Sequence, residues 1–195
     1  MLDRVLIDNI GLTLVVWIAL YVSDYYTTLS AARLYRAGAD RFMVFEGSFE
    51  LTPAFQHDVD HLRQLSPRFL MFLALSIAGI VAVWFLSVQF LRMSGFFAFM
   101  MGGLILREAV IHMRHVRNLA LFHHANDHLK GRLEYSRWLL LRQSAVELLS
   151  FSALFLLIWL LVGSLFVLGG AFACMATGIQ HWNMARKFAR QAKPA

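Results

Sequence analysis

The chain has 195 residues, of which 59% are hydrophobic and only 15% charged. Soluble domains carry about 25% charged residues, so this balance argues against a free-standing globular protein. The net charge of +6 would suggest nucleic acid as a partner in a soluble chain. Here the basic residues flank apolar blocks, the positive-inside rule accounts for them, and no nucleic-acid partner is expected.

The opening stretch, MLDRVLIDNI, has mixed charge, and the apolar run after it lacks a small-residue cleavage site. No cleavable leader is expected, and the first span stays in place. That span covers 10–35, with Asp24 and Arg33 its only charged residues. At ~1.5 Å per residue, Asp24 lies about 21 Å from the start of the helix, past the bilayer midplane. Thr27, Thr28 and Tyr35 fall near its face of the helix.

A polar connection, 36–68, follows. Within it LTPAF reads as a helix start, with Thr52 as N-cap and Pro53 in the first turn. An amphipathic helix over 53–65 would turn Phe55, Val59 and Leu62 to one side, suited to lying along a membrane interface. The phrase FQHDVDHLR at 55–63 returns as FHHANDHLK at 122–130. Each copy spaces two histidines by four, His57 with His61 and His124 with His128, and each has an aspartate, Asp60 or Asp127, before the second. Histidine pairs on one helix face with carboxylates nearby suit a divalent cation such as zinc. The order of a zinc protease, His-Glu-x-x-His, is absent, and solvated helix ends are the competing reading.

The second span, 69–91, contains no charged residue. The third, 95–115, is interrupted by Arg107 and Glu108 and carries Arg114 near its end. Glu108, His112 and His115 share a face, and Arg107 is the expected cation for Asp24, Glu108 or Glu147. A second polar connection, 116–138, leads to a fourth span, 139–162, with Arg142 and Glu147 near its start. The fifth, 165–184, ends with Gln180 and His181. The 38 residues of 148–185 contain no Asp, Glu, Lys or Arg, enough for two crossings of about 20 residues each. Gly163-Ser164 supplies the turn between them. Cys174 lies inside the last span and has no intrachain disulfide partner. Trp138 and Trp182 fit interface belts and Trp17 fits them least well, whereas Trp84 and Trp159 fit the outer belt.

The expected fold is therefore all-α, a polytopic integral membrane bundle of about five transmembrane helices in contact with lipid. Internal duplication is a further reading. Trp84, Gly95 and Gly103 align with Trp159, Gly170 and Gly178 at a shift of 75, whereas the polar phrases align at 67. Chance matching of Leu/Phe/Ala strings explains the apolar part equally well. Arginine and lysine concentrate in both long connections and the C-terminal tail, which puts the N-terminus outside and the C-terminus in the cytoplasm, in a bacterial inner membrane.

Ionisable groups inside a membrane mark pathways or paired networks. Asp24, Thr28, Arg107, Glu108, His112, Glu147, Gln180 and His181 are the candidate polar layer. The function expected from it is passage of a proton, ion or small polar solute, as a transporter or channel-like protein. Two alternatives use the same residues: a membrane-embedded metal-dependent or lipid-modifying enzyme, and an accessory subunit of a larger membrane complex. Small-residue patches such as Gly102-Gly103 and Gly169-Gly170 suit helix association, including a homo-oligomer.

Overall fold

In a computed structural model, residues 2–46 and 53–191 are described. The chain is a polytopic helical bundle, with five helices long and apolar enough to cross a membrane. A short helix α1 (Leu2–Asp8) precedes α2 (Ile10–Arg36), which begins where the Asn9 side chain accepts from Leu12 N at 3.0 Å. After a three-residue turn comes the short strand β1 (Met43–Phe45), then helix α3 (Pro53–Asp60). Helix α4 (Pro67–Trp84) starts at an N-cap on Ser66 and ends in a wider π-helical turn, Phe85–Phe90. Helix α5 (Ser94–His123), one-turn α6 (Ala125–His128), strand β2 (Leu133–Tyr135), α7 (Arg137–Val162) and α8 (Leu165–Gln191) complete the chain.

Backbone polarity explains why helices dominate. In hydrocarbon every N–H and C=O must be satisfied within its own segment. The α7–α8 hairpin turns at Gly163, whose φ of +69° closes α7 with a left-handed cap as its N–H donates to Trp159 O at 2.7 Å. Ser164 then caps α8, accepting from Val167 N at 3.3 Å and donating to Asp3 at 2.7 Å. The buried Ser152 hydroxyl donates from α7 to Ala171 O on α8 at 2.8 Å.

Helix α8 packs along both α7 and α5, and α5 packs along α2, while α4 lies at the periphery. Glycine sets the α5–α8 approach. A Cβ on Gly102 would meet the Phe166 carbonyl oxygen at 1.7 Å, and one on Gly169 would meet that of Phe99 at 1.8 Å. Small residues let membrane helices approach this closely, where van der Waals packing rather than a hydrophobic drive holds them.

Around that contact the half of the bundle nearest α1 is filled by Leu6, Trp17, Ile80, Phe97, Met101 and Phe166. Trp17 is therefore a core residue rather than a belt residue, and its indole N–H donates to Ser76 Oγ at 2.8 Å. The outer faces are apolar and exposed, as at Leu157, Leu160 and Leu161, which suits lipid.

The two long connections gather at the opposite end. Strands β1 and β2 pair in parallel, Val44 opposite Glu134, and tie them together. Helix α3 ends at Asp60, short of the expected 65, and Leu62 lies beyond it with a left-handed φ of +51°. Phe55 and Val59 of α3, together with Leu62, dock onto Tyr25, Leu29 and Phe69. The expected start at Thr52 lies outside the described residues. The second polar phrase does not form a helix of its own: 116–123 holds no Gly or Pro, so α5 continues to His123, and only the one-turn α6 follows. The two phrases thus occupy different settings, one on α3 and one across the end of α5 and α6.

Asp58 locks α3 to α4. It is buried, accepts from the Ser66 hydroxyl at 2.5 Å and meets Arg63 at 3.3 Å. The Ser66 hydrogen bond, helped by His57 and Arg63, holds its carboxyl below the ordinary 3.8.

Two measurements check these contacts. Gly102→Ala is expected to destabilise the bundle by roughly 1–3 kcal/mol, read as a lower Tm in detergent. Gly79→Ala, with nothing within 4 Å, should leave Tm unchanged or slightly raised. A carboxyl held low stabilises the fold above its unfolded-state pKa and loses that contribution as pH falls through its folded-state value. The Tm advantage of the wild type over Asp58→Asn should therefore persist at neutral pH and shrink as pH drops below 3.8.

Candidate functional site

Four of the long helices turn a polar stripe toward one another at the end that carries the connections. On α2 it runs Tyr21, Asp24, Tyr25 and Thr28; on α7, Leu140, Gln143, Ser144 and Glu147; on α8, Thr177, Gln180, His181 and Met184. Each follows the i, i+3, i+4, i+7 spacing of a single helix face. On α5 the stripe is Arg107, Ile111, Arg114 and Asn118, with Glu108 and His115 beside it. Together they surround a cavity of about 870 Å³, lined on the connection side by residues such as Phe45, Phe55 and Tyr135.

Each carboxyl in the cavity meets a cation or an imidazole. Asp24 Oδ1 lies 3.4 Å from His115 Nε2 and 3.8 Å from His112 Nδ1. Arg107 Nη2 donates to Glu108 Oε2 at 3.4 Å. Glu147 accepts from Arg114 Nε at 2.6 Å and from Arg117 Nη1 at 3.5 Å. His181 Nδ1 is 2.6 Å from Ser144 Oγ, which joins α8 to α7.

Of the sequence-predicted layer, Asp24, Thr28, Arg107, Glu108, Glu147, Gln180 and His181 line this cavity. His112 stands behind it, against Asp24. Arg107 was expected to serve Asp24, Glu108 or Glu147, and it takes Glu108. Glu147 instead takes Arg114 and Arg117. Missed residues include these two arginines, Tyr21, Gln143 and Ser144. For Arg114 the signal was the seven-residue step from Arg107, which continues the polar face of α5 beyond the point where hydropathy alone ends the span.

Several buried polar atoms in the wall have no hydrogen-bond partner among the described residues: Tyr21 Oη, Arg107 Nε, Arg114 Nη2 and His115 Nδ1. Buried polar groups are normally satisfied.

The histidine pairs of the repeated phrase lie elsewhere. His57 and His61 stack with ring centroids 4.2 Å apart, and His61 Nδ1 contacts the His57 carbonyl at 2.8 Å. His124 and His128 stand 5.9 Å apart. The Asp60 carbonyl accepts from Arg36, and the Asp127 side chain lies outside the described residues. Among the described residues no three His, Cys, Asp or Glu side chains converge as a metal site. Two imidazoles alone do not supply the three or four ligands zinc takes.

No family model, curated protein or solved structure matches the chain. The class stands on the architecture: a polytopic membrane helical bundle with buried salt bridges between acidic residues and arginine or histidine.

A double-mutant cycle tests the strongest pair. Glu147→Leu should strand the largely buried Arg114, and Arg114→Met should leave Glu147 only its longer contact with the exposed Arg117. Breaking a buried pair from one side costs about 3–5 kcal/mol. The double variant should recover most of the loss in Tm, and simple additivity of the two losses would contradict the pairing.

Proposed function

We propose that the chain is a small proton-translocating transporter whose cargo path begins in the charged cavity. The observation that carries this reading is the division of the bundle along its length. The polar cavity enters the spanning helices from the connection end, whereas the half nearest α1 is closed by apolar packing around Trp17, Phe97 and Phe166. A polar site reached from one side and sealed toward the other is one face of an alternating-access cycle, with the site at mid-depth.

Asp24, Glu108 and His115 carry the proton. Two carboxyl groups in one cavity wall favour sharing one proton, and His115 Nε2, 3.4 Å from Asp24 Oδ1, is placed to exchange it. Arg107 balances the pair and keeps the site from emptying its charge into hydrocarbon. Arg114 and Arg117 hold Glu147 at the mouth. The cavity mouth faces the cytoplasm, because Arg36, Arg41, Arg63 and Arg68 lie in the first connection and Arg117, Lys130, Arg132 and Arg137 in the second, the side that basic residues favour. The N-terminus is then outside.

The test is proton flux into liposomes loaded with a pH-sensitive dye, driven by a potassium diffusion potential. Vesicles containing the wild type should acidify faster than protein-free vesicles. Asp24→Asn and Glu108→Gln should each lower the rate by about a hundredfold or more, within the ~10²–10⁴-fold range of a positioned proton-transfer group. Wild-type vesicles no faster than empty ones would remove the reading.

A further inference from the structure

A second basic site lies outside the charged cavity, where the start of α7 meets the end of α8. A surface groove of about 490 Å³ is lined there by Trp138, Arg142, Arg186, Ala189 and Arg190. Three guanidinium groups line it and no carboxyl does. Arg186 and Arg190 are one turn apart on α8, a spacing at which like charges repel. Among the described residues none of the three arginines makes an ion pair with a carboxylate. Nearby Glu46 is committed elsewhere, accepting from the Arg137 backbone N–H at 2.8 Å.

Arg142 is held in place. Its guanidinium carbon sits 3.6 Å above the centre of the Trp182 ring. Stacking occupies the face of the fork and leaves the N–H edge to meet acceptors in its plane. A pre-oriented arginine flanked by two more is the geometry that recognises the several oxygens of a phosphate.

The setting selects the form in which that phosphate arrives. Both helices are membrane-spanning, and the groove lies at their ends. Trp138 is exposed, as is Val146 two turns further along α7. A tryptophan at the end of a span marks the headgroup level, and basic pockets between spanning helices at that level hold anionic headgroups. We propose that this groove binds the phosphate headgroup of an anionic phospholipid, with Trp138 and the adjoining apolar face of α7 along its acyl chains. Arg142 also lines the charged cavity, so the bound headgroup holds one wall residue of that cavity in position. The site does not depend on what the cavity carries.

The experiment uses the full chain in maltoside micelles. Lipid retention by native mass spectrometry and Tm are read with dioleoylphosphatidylglycerol, dioleoylphosphatidylcholine and inorganic phosphate as separate probes. The wild type should retain phosphatidylglycerol and gain Tm from it, with a smaller response to phosphatidylcholine and none to inorganic phosphate at equal concentration. The triple variant R142Q/R186Q/R190Q should bind phosphatidylglycerol roughly tenfold or more weakly, and the lysine triple should fall between the two. Should the triple fail to fold, Arg190→Gln, at an exposed position, should show the same loss in part. Unchanged phosphatidylglycerol retention in the glutamine variants would overturn the proposal. An equal response to inorganic phosphate would overturn the lipid assignment.

Discussion

The bundle is organised by the need to neutralise charge where water is scarce. A single ionised side chain at the bilayer centre costs about 2.5–3.5 kcal/mol on insertion scales, and this chain carries several within its spanning helices. Pairing offsets that cost only if the partners are brought together by the fold. Helix α5 is the element that does this. Its Arg107, Arg114 and Arg117 meet Glu108 and Glu147, and its His112 and His115 meet Asp24 of α2. The helix bearing the most charge therefore has to sit among its neighbours, while α4, with no charge beyond its first turn, can lie at the edge facing lipid.

Glycine makes the arrangement compact. The Gly102 and Gly169 contacts draw α5 and α8 together, and α8 in turn carries α7 with its Glu147 into reach of Arg114. Helices α2 and α7 are not packed on one another, and the charged cavity occupies the space their separation leaves against α5 and α8. The connections gather at the same end: the β1–β2 pair joins them, and the Asp58–Ser66 lock seats α3 beneath Tyr25 and Phe69. The charged side chains of the spanning helices thus sit in one half of the molecule's length, and the other half is packed with apolar side chains.

Much of this was legible in the sequence where a residue contradicted its surroundings. Asp24, Arg107, Glu108 and Glu147 stand out because each interrupts an apolar run, and the number of long helices follows from the uncharged blocks and the Gly163-Ser164 turn. Pairing was less legible. Arg114 and Arg117 fall where hydropathy declines, so they resemble ordinary interface arginines, and only the heptad step from Arg107 places Arg114 on the cavity face. The β1–β2 pair was invisible because three-residue strands have no period to read. Trp17 fitted a belt least well in the sequence, and its burial and bond to Ser76 place it in the core. The twice-written histidine phrase was the loudest motif, but spacing along a chain does not reveal that one copy docks as α3 while the other runs on from α5.

The central claim is that charge inside the spanning helices surrounds an accessible cavity rather than a sealed core. Cysteine accessibility in native membranes tests it most directly. In a Cys174→Ser background, single cysteines at Gln143 and Gln180 should react with a hydrophilic maleimide applied from one side of the membrane, the same side for both. Cysteines at Leu157 and Leu160 should react only with a lipophilic reagent. Silence at both glutamine positions, or hydrophilic labelling at the leucines, would contradict the account.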